Sequence, residues 1–234
     1  MKPALETRWL GRIAFEQALA QQDALVQKKH SHPDGADEFW LLEHEPVYTI
    51  GRTPDRSSLR GSNHLPHPLF EINRGGQATY HGPGQLVGYL LLDLRRYGQD
   101  LHRYLRWMEA LLIKLLALYQ VKAGTRDGVT GVWVANRKIA SIGVGVRHWI
   151  TMHGFALNVH GDLSGFDAIT PCGIANVAMT SIEKETGETH AVKNVAEAIA
   201  SLTKVRVADL AGSTGRRPVG AGNLPARTFG TAAR

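Results

Sequence analysis

The chain has 234 residues, 43% of them hydrophobic, enough for one sizeable core, and its single cysteine, Cys172, excludes an internal disulfide framework and a multi-cysteine metal site. The net charge of +6 sits mostly in residues 213–234, which hold four arginines and no acid; the remaining 23 basic and 21 acidic residues leave a body charge of +2. That body shows no arginine–aromatic interleaving of the kind a nucleic-acid groove needs, so no nucleic-acid partner is expected.

No apolar run reaches the roughly 18 residues that span a bilayer, and the start MKPALETRWLGR lacks the apolar core of a secretory signal. A soluble, cytoplasmic chain without a membrane partner is expected. Composition divides it into a single body over residues 1–212 and a disordered tail over 213–234, rich in Gly, Ala, Pro and Thr.

In chain order, Phe15, Leu19, Leu25 and Val26 recur at near-helical spacing within residues 13–29. The apolar run 39–42 and the alternating segment 46–50 then read as strands. A polar, proline-containing connection leads to LeuPheGluIle at 69–72, and TyrLeuLeuLeuAspLeu follows at 89–94. The best-defined helix runs from about Asp100 to Tyr119: Tyr104, Leu105, Met108, Leu111, Leu112 and Leu115 share one face, and Asp100 caps it. Short β-rich segments follow at 131–134, 138–146 and 154–159, and a second amphipathic helix carries Val192, Val195, Ala196, Ile199 and Leu202. The pattern implies an α+β fold, a single domain with a mixed or antiparallel sheet flanked by helices.

Between the strands lies RGGQATYHGPGQLVGY, Arg74 to Tyr89, with five glycines in sixteen residues. Glycine at that density marks backbone that bends tightly or approaches a ligand closely, and a surface loop between strands is the competing reading. Cys172 lies between Pro171 and Gly173, which set a tight turn around the thiol, an unusual place for a packing cysteine. A cysteine nucleophile works as a thiolate, and with a free pKa near about 8.5 it needs a cation or base close by. Lys138, at the start of an apolar alternating strand, is one candidate, although an ordinary turn lysine fits the same position. His81 and His153 are the others. His30, His32, His64 and His67 occupy polar loops without ligand spacing, and no metal is assigned to them.

Four motifs together resemble the lipoyl(octanoyl) transferase family: RGGQATYHGPGQ, LysIleAlaSerIleGly at 138–143, HisGlyPheAlaLeuAsn at 153–158 and ThrProCysGlyIle at 170–174. They stand in the family's order over roughly residues 5–205. One departure is that Leu90 follows Tyr89 where many members have proline.

The resemblance implies an acyltransferase catalytic domain of the biotin/lipoate protein ligase-like fold, which moves an octanoyl or lipoyl group from acyl carrier protein to a specific lysine of a lipoyl domain through a cysteine thioester. Acceptors would be the lipoyl domains of 2-oxoacid dehydrogenase complexes and the glycine cleavage H protein. The nucleophile maps onto Cys172, and the lysine that lowers its pKa onto Lys138. Substrate contacts map onto Arg74, Gly75, Gly76, Gln77, Ala78, Thr79, Tyr80 and His81, onto Ser141, Ile142 and Gly143, and onto Gly154, Phe155 and Ala156. No cofactor is implied. Backbone N–H groups at Gly75, Gly76, Gly143 and Gly173 are candidates to stabilise an oxyanion. Tyr80, Val144 and Phe155 are candidates for an apolar acyl slot, and each fits a core position equally well. An ATP-dependent ligase of the same fold, a non-catalytic acyl-binding module and a thioesterase are the alternatives.

Overall fold

A computed structural model describes residues 5–53, 55–60, 65–173 and 177–211, the side chains of Cys172 and Ala211 excepted. The tail at 213–234 and Ile174 of the cysteine motif lie outside the described residues.

The body is a twisted mixed sheet with helices on both faces. Its strands are β1 (Leu5–Ile13), β2 (Asp37–His44), β6 (Gln85–Leu91), β7 (Gly124–Arg126), β8 (Val129–Val134), β9 (Arg137–Arg147), β10 (Ile150–Asn158) and β11 (Ala178–Met179). The spatial order is β1-β2-β6-β10-β9-β8-β7, with β11 pairing with β9. Within this sheet, among the described residues, only β1 with β2 and β11 with β9 run parallel. A second sheet, ordered β4-β3-β5, holds β3 (Val47–Ile50), β4 (Leu69–Glu71) and β5 (Thr79–His81). The described residues include four α-helices: α1 (Phe15–Ser31), α2 (Leu101–Leu118), α3 (Ile182–Thr186) and α4 (Val192–Ala211). Among the described residues no helix is long and apolar enough to cross a membrane.

Strand alternation divides the side chains between two cores. Phe39, Leu41, Leu86, Leu90 and Leu157 meet Met108, Leu111, Leu112 and Leu115 of α2 and Val195 and Ile199 of α4. Trp40, Leu42, Val87, Leu91 and Met152 meet Ala18 and Val26 of α1. A strand covered on both faces has no polar side, which is why 39–42 reads as one unbroken apolar run. The Asp100 side chain accepts from the Arg103 N–H at 2.9 Å, so α2 starts where its cap places it.

Several elements escape the sequence reading, among them β1, β5, β7, β11 and α3. β1 alternates charged and apolar residues along the sheet edge, and its register shifts between Trp9 and Arg12, which breaks the pattern. α3 is only five residues long. The Gly-Pro-Gly turn carries the chain from the small sheet into the large one: the Gln85 N–H donates to Gly82 O at 3.2 Å and the Gly84 N–H to Glu43 Oε2 at 2.8 Å. Its place is thus in the crossing between the sheets.

Candidate active site

The loop between β4 and β5 lies on β9 and borders a cleft of about 490 Å³ lined by β9 and β10. Contact is backbone on backbone. The Gly75 N–H donates to Val144 O at 3.0 Å, and a Cβ on Gly145 would come 2.2 Å from Asn73 O, so the loop can lie on β9 only where that strand has no side chain. Arg74, 7% exposed, then clamps the loop from inside: Nη1 donates to Gly75 O (2.9 Å), and Nη2 donates to Thr49 O (3.0 Å), Thr49 Oγ1 (2.9 Å) and Gln77 O (3.1 Å).

Of the expected substrate-contacting residues, Arg74, Gly75, Gly76, Gln77, Thr79, His81, Ser141, Ile142, Gly143, Gly154, Phe155 and Ala156 line this cleft. Lys138 and Val144 line it as well. Ala78 and Tyr80 do not. Tyr80 alternates with Thr79 and His81 along β5, Ala78 just precedes that strand, and both pack into a separate cluster with Tyr48, Phe166 and Ile169, where the Tyr80 ring lies 5.4 Å from that of Tyr48. Phe15, Ile72, Val87, Tyr89, Leu101 and Leu105 also line the cleft and were missed. Val87 and Tyr89 stand at the end of the glycine-rich segment, outside its stretch of expected substrate contacts; Phe15, Ile72, Leu101 and Leu105 come from distant elements without a motif, and their sequence signal is only that of core residues.

Two buried histidines, His81 and His153, lie near Arg74, and a third, His44, packs against His81. Burial is the main cause that lowers His44 to about 4 and His81 and His153 to about 3, and the Arg74 charge lowers the last two further. All three are neutral imidazoles at physiological pH. His81 Nδ1 is 2.7 Å from Gln85 Oε1, and the Gln85 amide nitrogen donates to Tyr80 O and Asn158 Oδ1, so His81 carries its proton on Nδ1. His44 Nδ1 donates to Ile13 O at 2.9 Å and its Nε2 accepts from the Tyr89 hydroxyl at 2.7 Å. Burial raises the Tyr89 phenol far above its usual value, which keeps that proton on the tyrosine. His153 is 3% exposed, has φ +60°, and its Nε2 has no hydrogen-bond partner among the described residues.

Lys138 is 1% exposed and donates from Nζ to Thr130 O at 3.2 Å. Its backbone pairs with Met179, and its carbonyl accepts from the Thr180 N–H at 2.9 Å. The chain leading into β11 contains the turn Pro171–Gly173, in which the Cys172 backbone lies; its side chain is outside the described residues. That turn rests on the glycine loop: a Cβ on Gly173 would come 2.9 Å from Gln77 Cγ, and the Thr170 N–H donates to Ser58 O at 2.7 Å. Gln77 is itself fixed, accepting from Ser58 Oγ at 2.9 Å and donating to Asp55 Oδ2 at 3.1 Å. Three of the candidate oxyanion donors are engaged within the fold, Gly75 on Val144 O, Gly173 on Thr170 O and Gly143 in the β9–β10 ladder opposite Gly154, which leaves Gly76. Among the described residues no group of three or more His, Cys, Asp or Glu is placed to hold a metal ion.

The model of the lipoyl protein ligase A/B catalytic domain matches residues 14–203. The chain belongs to that family. An octanoyltransferase of Geotalea uraniireducens is 51% identical over 178 residues, 76% of this chain and 81% of the relative. With such relatives the chain shares acyl transfer, and it is an acyltransferase. Solved structures share the fold at low identity. A lipoate-protein ligase A bound with ATP aligns with a TM-score of 0.66 at 16% identity, over 89% of this chain and 86% of that one. A biotin protein ligase from Aquifex aeolicus aligns with a TM-score of 0.51 at 12% identity, over 88% and 70%. The fold is therefore that of the biotin and lipoate ligases, as the motifs imply.

Proposed function

We propose that the protein transfers an octanoyl group from acyl carrier protein to the ε-amino group of a lysine on a lipoyl domain, by way of a thioester on Cys172. The observation that carries this reading is the seating of the Pro171–Gly173 turn against Gln77, in the loop that borders the cleft holding Lys138.

In the first half-reaction the Cys172 thiolate attacks the carrier thioester. The C–S bond to the carrier breaks, and the carrier thiolate leaves and takes up a proton. An ammonium at Lys138 favours the attacking thiolate and the developing oxyanion, with the N–H group of Gly76 as a further donor. In the second half-reaction the acceptor amine attacks the acyl-enzyme, an amide forms, and the Cys172 thiolate is released together with a proton. The apolar wall of Ile142, Val144 and Phe155 accommodates the acyl chain. Acceptors of this chemistry are the lipoyl domains of 2-oxoacid dehydrogenase complexes and the H protein of glycine cleavage, and the place of reaction is the cytoplasm, where the thiol stays reduced.

Intact-mass analysis after mixing with octanoyl carrier protein, without ATP, tests the reading. Wild type gains one octanoyl group and passes it to a lipoyl domain as a stable amide, and Cys172→Ala gains none. Full transfer by Cys172→Ala overturns the covalent route, and a strict requirement for ATP and free octanoate identifies a ligase instead.

A further inference from the structure

Lys138 and Trp133 are directly opposed on β9 and β8, and the neighbouring pair is Ala140 with Val132. Between these two pairs β9 spends one residue more than β8. The extra residue is Ile139, and Ile139 and Ala140 both enter the core under α2. A bulge of this kind re-aims the side chain beside it. Here it sets Lys138 against an indole: Nζ lies 5.3 Å from the centroid of the Trp133 ring, within the range of a cation–π attraction.

Trp133 is 3% exposed, and its Nε1 has no hydrogen-bond partner among the described residues. Burying an indole N–H unpaired is unfavourable, and phenylalanine or methionine would fill much of the space without that cost. The compensation lies on the ring face. Arg126 also approaches that ring, with its guanidinium carbon 5.4 Å from the centroid, but Arg126 is exposed and its attraction is screened by solvent. The buried cation on the indole is Lys138, which lines the cleft.

We propose that Trp133 is a positioning residue for acyl transfer, whose indole face holds the Lys138 ammonium at the cleft. This rests on the transfer reading above, in which Lys138 favours the Cys172 thiolate.

The test compares Trp133→Phe with Trp133→Met in the full-length chain, each with and without Lys138→Ala. Three quantities are measured: the single-turnover rate of enzyme acylation by octanoyl carrier protein, the pH midpoint of Cys172 labelling by iodoacetamide, and the melting temperature. Trp133→Met slows acylation about tenfold and raises the labelling midpoint. Trp133→Phe, which keeps a ring face, recovers at least half of both effects at a similar melting temperature. In the Lys138→Ala background the two variants become alike. Wild-type rate and midpoint in Trp133→Met overturn the proposal, as does an equal loss in Trp133→Phe or a Phe–Met difference that survives removal of Lys138. A wild type that never acquires the octanoyl mass overturns the transfer reading instead, and the labelling midpoints then decide the role of Trp133 by themselves.

Discussion

Gly131 leaves the space that Lys138 occupies: a Cβ at Gly131 would lie 2.6 Å from Lys138 Cε and 3.0 Å from Nζ. The Gly131 N–H is pinned to Glu109 Oε1 of α2 at 3.0 Å, so neither strand nor helix is free to yield. At φ +136° an alanine is also strained in the backbone. Gly131→Ala is expected to cost about 2 kcal/mol of stability and to slow acylation of Cys172 more than tenfold, because the lysine is displaced from its seat. Denaturant unfolding and single-turnover mass measurements check the two parts separately.

Arg74 supports the glycine loop through acceptors that a point charge cannot serve together. Arg74→Lys keeps the charge and loses the fork, leaving at least one buried carbonyl unpaired, at a cost of about 1–3 kcal/mol. The loop borders the cleft, so KM for the octanoyl carrier should rise. Unfolding free energy and steady-state kinetics of the same variant provide the check, and an unchanged KM would separate the loop from substrate binding.

Acid should unfold the protein through His44, His81 and His153. Their folded-state values lie at about 4, 3 and 3, below the unfolded value of 6.5. The unfolded chain therefore binds protons that the folded chain refuses, so stability is retained above pH 6.5 and falls as the pH drops from there toward 3–4. His153→Asn keeps a residue that tolerates φ +60° and removes one of these sites. It should flatten the dependence between pH 4 and 6 by about 1.4 kcal/mol per pH unit, measured by denaturant unfolding across that range.

Lys29 and Asp37 form a buried pair at the end of α1, with N···O 2.8 Å and side chains 4% and 0% exposed. Asp37 also accepts from the Asp93 N–H at 2.9 Å and the Tyr97 hydroxyl at 2.8 Å. Arg96 Nη1 also lies 3.5 Å from Asp37 Oδ2, so Lys29→Met removes one of two cations from that carboxylate and should cost about 1–3 kcal/mol, with transfer activity at 25 °C intact because the pair lies outside the cleft. A melting curve and a transfer assay on the same sample test both halves.

What the sequence determined by itself is local. The helical period and the Asp100 cap define α2, the glycine density marks the loop that borders the cleft, and the Pro-Cys-Gly context singles out Cys172. These are properties of neighbouring residues, and they survive without knowledge of the fold. Only the tertiary structure decided which face each residue serves. Tyr80 and His81 are adjacent in the motif, yet strand alternation sends the first into an aromatic cluster and the second into the cleft. Phe15 and Leu105 read as core positions and become cleft wall, because α1 and α2 bring them there from remote parts of the chain. Lys138 reads equally well as a turn lysine. Its seat exists because the bulge at Ile139 places it opposite Trp133 and because Gly131 has no side chain to exclude it. Packing between strands, which no local pattern encodes, turned a surface residue type into a buried cation.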